Sequence, residues 1–233
     1  MLPAPIWAEM NKDNIKLVTG LSKPPYVNQR DDSGLQLDLI REAFLTEGIE
    51  TNFTYMPQSR NITGYKKWSV DGVITVPVNF QYEGMYLSKP YIRYQNVAIS
   101  LAQRNFVLNR VRDLSGKSIV AFQNARKYLG QDYAKVVAYS LDYREVAEQR
   151  KQVDMLFAGD TEVIVMDVNI FKHFFSIWQQ YNDPNDIIIH KIFYYIFCFI
   201  IINYPFQFID VNVRNRGRVA CFFGYIHNTK HTN

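Results

Sequence analysis

The sequence predicts an α/β fold in two lobes, on three observations. The first is Gly72 to Val76, a short apolar, β-branched run bounded by Asp71 and Pro77, which suits a strand buried in a parallel sheet. The second is the alternation of strand-like and helix-like stretches that leads up to it from Ile15. The third is that the same βα order starts again near Ser118, after a polar break at Gln103 to Asn105 that reads as a hinge.

In chain order, Ile15 to Gly20 is the first strand, and it leads into the loop Pro24-Pro25-Tyr26. Leu37, Leu39, Ile40, Ala43 and Phe44 follow helical spacing between Gln36 and Glu47, and Gly48 supplies the stop. A second strand runs from Thr51 to Tyr55, and after Pro57 a short helix from Asn61 to Trp68 delivers the chain to Asp71. Asn96 to Ala102 is a strand that ends the first unit. The second unit is expected to hold a strand at Ser118 to Phe122, a helix at Ala125 to Tyr133 and a strand at Val136 to Tyr139. After these come a helix at Tyr143 to Phe157, a strand at Glu162 to Met166, a helix at Asn169 to Gln180 and a strand at Ile187 to Phe193. The lobes are thus assigned to 14–103 and 104–190, with 1–13 a leader remnant or disordered terminus and 191–233 an atypical return to the first lobe.

Composition bounds the function. With 233 residues, 48% hydrophobic and 21% charged, the chain has enough apolar material for a sizeable core. A net charge of +4 is spread along the sequence, so the basic patch expected of a nucleic-acid binder is missing. Cys198 and Cys221 lack metal-ligand spacing and the four histidines form no HExxH pattern, which argues against zinc chemistry and implies no cofactor. Phe193 to Ile202 is a ten-residue apolar run, too short for a membrane-spanning helix.

Three segments carry a family resemblance by their order: Lys23-Pro24-Pro25-Tyr26, Leu87-Ser88-Lys89-Pro90-Tyr91 and Leu114-Ser115-Gly116-Lys117. Together they resemble the extracytoplasmic solute-binding proteins of family 3, best known as amino-acid receptors of ABC importers, over Ile15 to Phe193. The resemblance implies a periplasmic-binding-protein type II fold with the ligand cleft between the lobes. It further implies a monomer that closes by hinge motion on a small polar solute and presents it to an ABC permease in the periplasm. Ile6-Trp7-Ala8 before Glu9 is then read as the end of a secretory signal. Two other classes share the fold: a dehydratase-like periplasmic enzyme, for which no acid/base pair emerges, and a ligand-sensing input domain.

Ligands of open α/β sheets bind at the carboxyl ends of the strands, so Tyr26, Thr75, Asn124 and Asp167 are expected to converge, with Phe122 and Val76 beside them. Tyr26 either stacks on a ligand, as the family's aromatic residue does, or caps the edge of the core. Thr75 and Val76 present hydroxyl and backbone groups, or are plain β-branched strand residues. The free N–H groups of Asn124, Ala125 and Arg126 form an anion site at a helix start, where Asn124 also serves as N-cap. Asp167 accepts from a ligand ammonium, as the family's acidic residue does, or caps the following helix. The arginine that the family aims at the ligand carboxylate is replaced by Gln81, which leaves Arg60 as a substitute cation. Beyond Phe193 the chain departs from the family, and its tail is expected not to complete the first lobe in the family's manner. An insertion followed by a change of reading frame would account for the departure; alternatively the tail is divergent but genuine, and Phe193 to Ile202 folds back as a buried strand or helix that fills the gap.

Overall fold

The computed structural model describes residues 13–58, 60, 69–77, 85–180, 183–202, 210–212 and 220–222. β1 (Asn14–Thr19) and β2 (Glu50–Tyr55) pair in parallel over their full length, from Asn14 against Glu50 to Thr19 against Tyr55. Between them α1 (Leu35–Leu45) buries Leu37, Leu39, Ile40, Ala43 and Phe44 on one face, as the helical spacing predicts. The predicted helix at Asn61 to Trp68 falls outside the described residues.

β3 (Gly72–Pro77) lies beside β1 in parallel, but its other neighbour is antiparallel: β11 (Ile196–Ile202), drawn from the apolar run near the C-terminus. The sheet is therefore mixed, in the order β2-β1-β3-β11-β4, where β4 is Tyr86–Leu87 and β5 (Ile92–Tyr94) also pairs with β11. The expected return of 191–233 to the first lobe is thus made by β11, the apolar run folding back as a buried strand. Cys198, Phe199, Ile200, Ile201 and Ile202 are all buried, which suits a strand with sheet on both sides. Gly72 makes the pairing fit, because a Cβ there would stand 2.4 Å from Ile202 Cγ2 and 2.5 Å from the Ile201 carbonyl oxygen. The Leu87-Ser88-Lys89-Pro90-Tyr91 segment clasps the same strand. Ser88 N–H donates to the Ile200 carbonyl at 2.8 Å, Ser88 Oγ accepts from Ile200 N–H at 2.9 Å, and Tyr91 N–H donates to the Cys198 carbonyl at 3.1 Å. Further on, β12 (Asp210–Asn212) and β13 (Ala220–Phe222) pair with each other, and the rest of the segment on which a frame change is suspected lies outside the described residues.

The second sheet has the order β10-β6-β9-β7-β8, built from β6 (Asn96–Leu101), β7 (Ser118–Phe122), β8 (Asp142–Val146), β9 (Val163–Asp167) and β10 (Ile187–His190). Here the expected boundary moves. The strand expected at Asn96 to Ala102, at the end of the first unit before a hinge at Gln103 to Asn105, is β6 and sits inside the second sheet between β9 and β10. The chain changes sheets at Gln95 and returns after β10. Gln95 ties the two crossings together, since its Nε2 donates to the carbonyls of Asn96 and Phe193, both at 3.0 Å.

Two further elements differ from expectation. Val136 to Tyr139 is no strand: α2 (Ala125–Tyr128) is followed by α3 (Gln131–Val137), whose Tyr133 and Val137, one turn apart, are buried in the second lobe's core. The helix expected from Tyr143 to Phe157 divides into β8, which extends the sheet beside β7, and α4 (Arg150–Ala158). The chain then runs through β9 into α5 (Val168–Trp178), and Phe157 stacks on Phe175 and Trp178 at 5.7 and 5.0 Å between ring centroids.

Candidate functional site

A cleft with about 470 Å³ of empty space, its open mouth included, lies between the lobes. Lys23, Thr75, Tyr94 and Cys198 line it from the first lobe; Phe122, Tyr128, Gln149 and Asp167 line it from the second. Side chains bridge the lobes at two points. Gln58 Nε2 donates to Tyr128 Oη at 3.1 Å, and Asn169 Nδ2 donates to Tyr26 Oη at 2.9 Å.

Lys23 owes its place to a tight loop after β1. Its N–H donates to the Val27 carbonyl at 2.8 Å and Val27 N–H returns the bond at 3.3 Å, with the two prolines at the tip. The side chain is 5% exposed, its Nζ donates to Thr75 Oγ1 at 3.3 Å, and it stands 5.2 Å from the centre of the Tyr94 ring. Among the described residues no carboxylate lies within ion-pair distance of this ammonium. Burial lowers its pKa to about 8, against the opposing fields of Cys198 and Asp167. Cys198 is a free thiol that burial pushes up to about 12, which keeps it protonated and inert.

Thr75 lies where β3 bulges. The pairing slips between Phe199 and Ile200, which face Val76 and Ile74, and Thr75 between them has φ +66°. A left-handed β-branched residue carries strain on the order of 1–3 kcal/mol, and such strain concentrates at functional sites. Here it accompanies a hydroxyl that accepts from Lys23 and from Gln36 Nε2. Gln36 is fully buried and is also bonded to the hydroxyls of Tyr91 and Tyr94, so the first-lobe wall is a connected polar network.

Asp167 ends β9 and caps α5. Its carboxylate accepts from the N–H groups of Asn169 at 2.9 Å, Ile170 at 3.2 Å and Gln95 at 2.8 Å. Burial raises its pKa above the ordinary value, while those three N–H groups and the Tyr26 hydroxyl pull it down. Gln149 differs from Asp167 in having spare capacity, because its Oε1 is buried at the cleft with no hydrogen-bond partner among the described residues.

Of the residues singled out from sequence, Thr75, Phe122 and Asp167 line the cleft. Tyr26 lies beside it, edge-on to Tyr94 at 4.7 Å, and burial raises its hydroxyl pKa. Val76 packs into the apolar cluster of Val73 and Phe199, and Ala125 into the core of the second lobe, so neither side chain belongs to the cleft wall. The helix start at Asn124 to Arg126 already holds an anion. Glu145 on β8 accepts from Asn124 N–H at 2.8 Å and Arg126 N–H at 3.0 Å, and the Arg126 guanidinium turns to the same carboxylate at 3.7 Å. Asn124 makes no side-chain cap and instead takes φ +67°. Arg60 is exposed and does not line the cleft, and Gln81 falls outside the described residues. Sequence reasoning missed Lys23, Tyr94, Tyr128 and Gln149. The signal for Lys23 was present, since it opens the very segment from which Tyr26 was chosen.

The architecture is shared with solved binding proteins. One is an ABC uptake transporter substrate-binding protein from Streptococcus pneumoniae with bound histidine, at 14% identity and TM-score 0.66 over 82% of this chain and 79% of that one. Another is the GluR0 ligand-binding core in complex with L-glutamate, at 18% identity and TM-score 0.65 over 82% and 86%. A third is holo ArgBP from T. maritima, at 16% identity and TM-score 0.63 over 82% of each chain. The chain has the type II periplasmic-binding-protein fold. No family model and no curated protein matches it. At these identities the likeness establishes the fold alone. Among the described residues no helix is long and apolar enough to cross a membrane.

Proposed function

We propose that the protein binds a small polar solute, an amino acid or related small carboxylate, in the cleft between its lobes and delivers it to an ABC importer on the outer side of the membrane. The observation that carries the proposal is the cleft itself: a buried cation, Lys23, on one lobe faces the carboxylate of Asp167 and the orphaned acceptor of Gln149 on the other. Such a site binds an ion of mixed charge better than an apolar molecule, and a ligand that touches both walls favours the closed arrangement by differential affinity. Reaction chemistry has no support in this wall, where the thiol is held protonated and the carboxylate is committed to three N–H groups.

A second reading is the ligand-sensing input domain, in which the same closure signals rather than delivers. Both share one test. The purified chain is melted with each of the twenty common amino acids and with acetate, succinate and glutarate, because a ligand held by the folded state alone raises the melting temperature. At one hundred times its dissociation constant a binder adds about 2.7 kcal/mol of stability. A panel that leaves the melting temperature unmoved throughout would remove the solute-binding proposal.

A further inference from the structure

We propose that Lys23 is the residue that receives the ligand's anionic group, and that this group is a monocarboxylate. The inference rests on the cleft being a ligand site and adds which residue selects the ligand and for what chemistry.

An ammonium has three N–H donors, and inside a protein each needs an acceptor. The described surroundings supply one, Thr75 Oγ1 at 3.3 Å, with the Tyr94 ring face nearby and no carboxylate within ion-pair distance. The charge is nevertheless 95% removed from solvent, at a wall of the cleft. Burying an unpaired cation is costly, and an anion entering the cleft would relieve that cost. Among the described residues, the acidic and potentially ionisable groups around Lys23 are Asp167 from the second lobe and Cys198, Tyr26, Tyr91 and Tyr94 from the first. The tyrosines and the thiol are held neutral by burial, and Asp167 already serves four donors of its own chain. Among the described residues no group is therefore placed to neutralise Lys23 by an ion pair. A second, separate observation also points to a ligand. Gln149 Oε1, buried in the opposite wall, waits for a donor, and a molecule that fills the cleft would carry one.

The charge balance narrows the anion. One ammonium and a nearby Asp167 carboxylate suit a single negative charge, whereas a phosphate dianion would meet that carboxylate with too few donors to satisfy it. The candidates argued from sequence are less apt. The helix start at Asn124 is filled by Glu145, and Arg60 is exposed away from the lining.

The test reads Lys23 directly and does not require that the natural ligand be known. Lysine labelled with ¹³C at Cε is incorporated, the Lys23 signal is assigned by its loss in Lys23→Met, and its titration is followed without additive, with acetate and with inorganic phosphate. Acetate is expected to raise the Lys23 midpoint by at least half a pH unit, and phosphate at the same concentration to do less. An unmoved Lys23 signal in acetate overturns the inference, and an equal or larger response to phosphate overturns the choice of carboxylate. The outcome is separable from the melting panel. Amino acids that stabilise the protein while Lys23 stays silent leave the solute-binding proposal standing and remove Lys23 from it. A Lys23 that responds to acetate while the panel is flat supports the anion site and removes the amino acid as its ligand. As a check on specificity, Lys23→Arg should keep the preference of any stabilising amino acid over its carboxamide, and Lys23→Met should lose at least tenfold of it.

Discussion

Lys23 is a liability to the fold, and its titration says when. Its pKa falls from 10.5 to about 8 because burial disfavours the charged form. Between those values the unfolded chain holds a proton that the folded chain has released, so stability rises with pH across this window. Below pH 8 the penalty is present in full, on the order of 3 kcal/mol, and above 10.5 it is gone. Lys23→Met should therefore be more stable than the parent at pH 7, with the gap closing as pH approaches 10.5. Urea unfolding of both proteins at several pH values measures it, and a gap that stays constant with pH would mean that Lys23 is not a buried cation. The residue scale is also where sequence reading was weakest. Choosing Tyr26 over Lys23 within one four-residue segment turns on how the loop folds back through the Lys23–Val27 pairing, which composition does not encode. The anion site at Asn124 failed for a related reason: its donors were visible in sequence, but Glu145, the acceptor that fills them, comes from another strand.

At the scale of elements the first sheet depends on β11. Ile200 is fully buried at the centre of that strand, and Ile200→Ala should cost about 2–5 kcal/mol of stability through lost contact and an unfilled cavity. Gly72→Ala tests the same packing from the opposite side. Its new methyl would meet Ile202 Cγ2 and the backbone of Ile201, and because one of those atoms is main chain the strand itself must shift, at about 1–3 kcal/mol or more. Calorimetric melting of both variants gives the result, and a Gly72→Ala protein as stable as the parent would show that β11 does not lie where it is described. Elements with strong periodicity were legible in sequence: α1 from its spaced apolar residues, β3 from its β-branched run, β9 and α5 from their sharp polarity boundary at Asp167. β8 was not, because Asp142–Val146 is only partly buried and its alternation is mild beside the helical pattern that follows. β6 is legible as a strand, but not as a strand of the second sheet. Every residue from Asn96 to Ser100 is buried, and such a strand carries no mark of which sheet it enters.

On the proposed function, the quantity that matters for the whole molecule is the balance between open and closed lobes. The two bridges, Gln58 to Tyr128 and Tyr26 to Asn169, join surfaces that hinge opening would separate, so each adds to the closed state alone. A ligand that needs both walls binds in proportion to the population of that state. Asn169 is the cleaner probe, since it does not line the cleft and the N–H that Asp167 caps is untouched by a change of side chain. Removing one hydrogen bond shifts the balance by about 0.5–1.5 kcal/mol. Asn169→Ala should therefore weaken binding of any amino acid that stabilises the parent by about two- to tenfold, without altering which amino acid is preferred. It should also enlarge the ligand-free radius of gyration, while the ligand-saturated forms of variant and parent coincide in small-angle scattering. Loss of affinity with no change in the free protein's dimensions would assign Asn169 to the ligand rather than to the hinge balance. Unchanged affinity would mean that this bridge contributes nothing to closure.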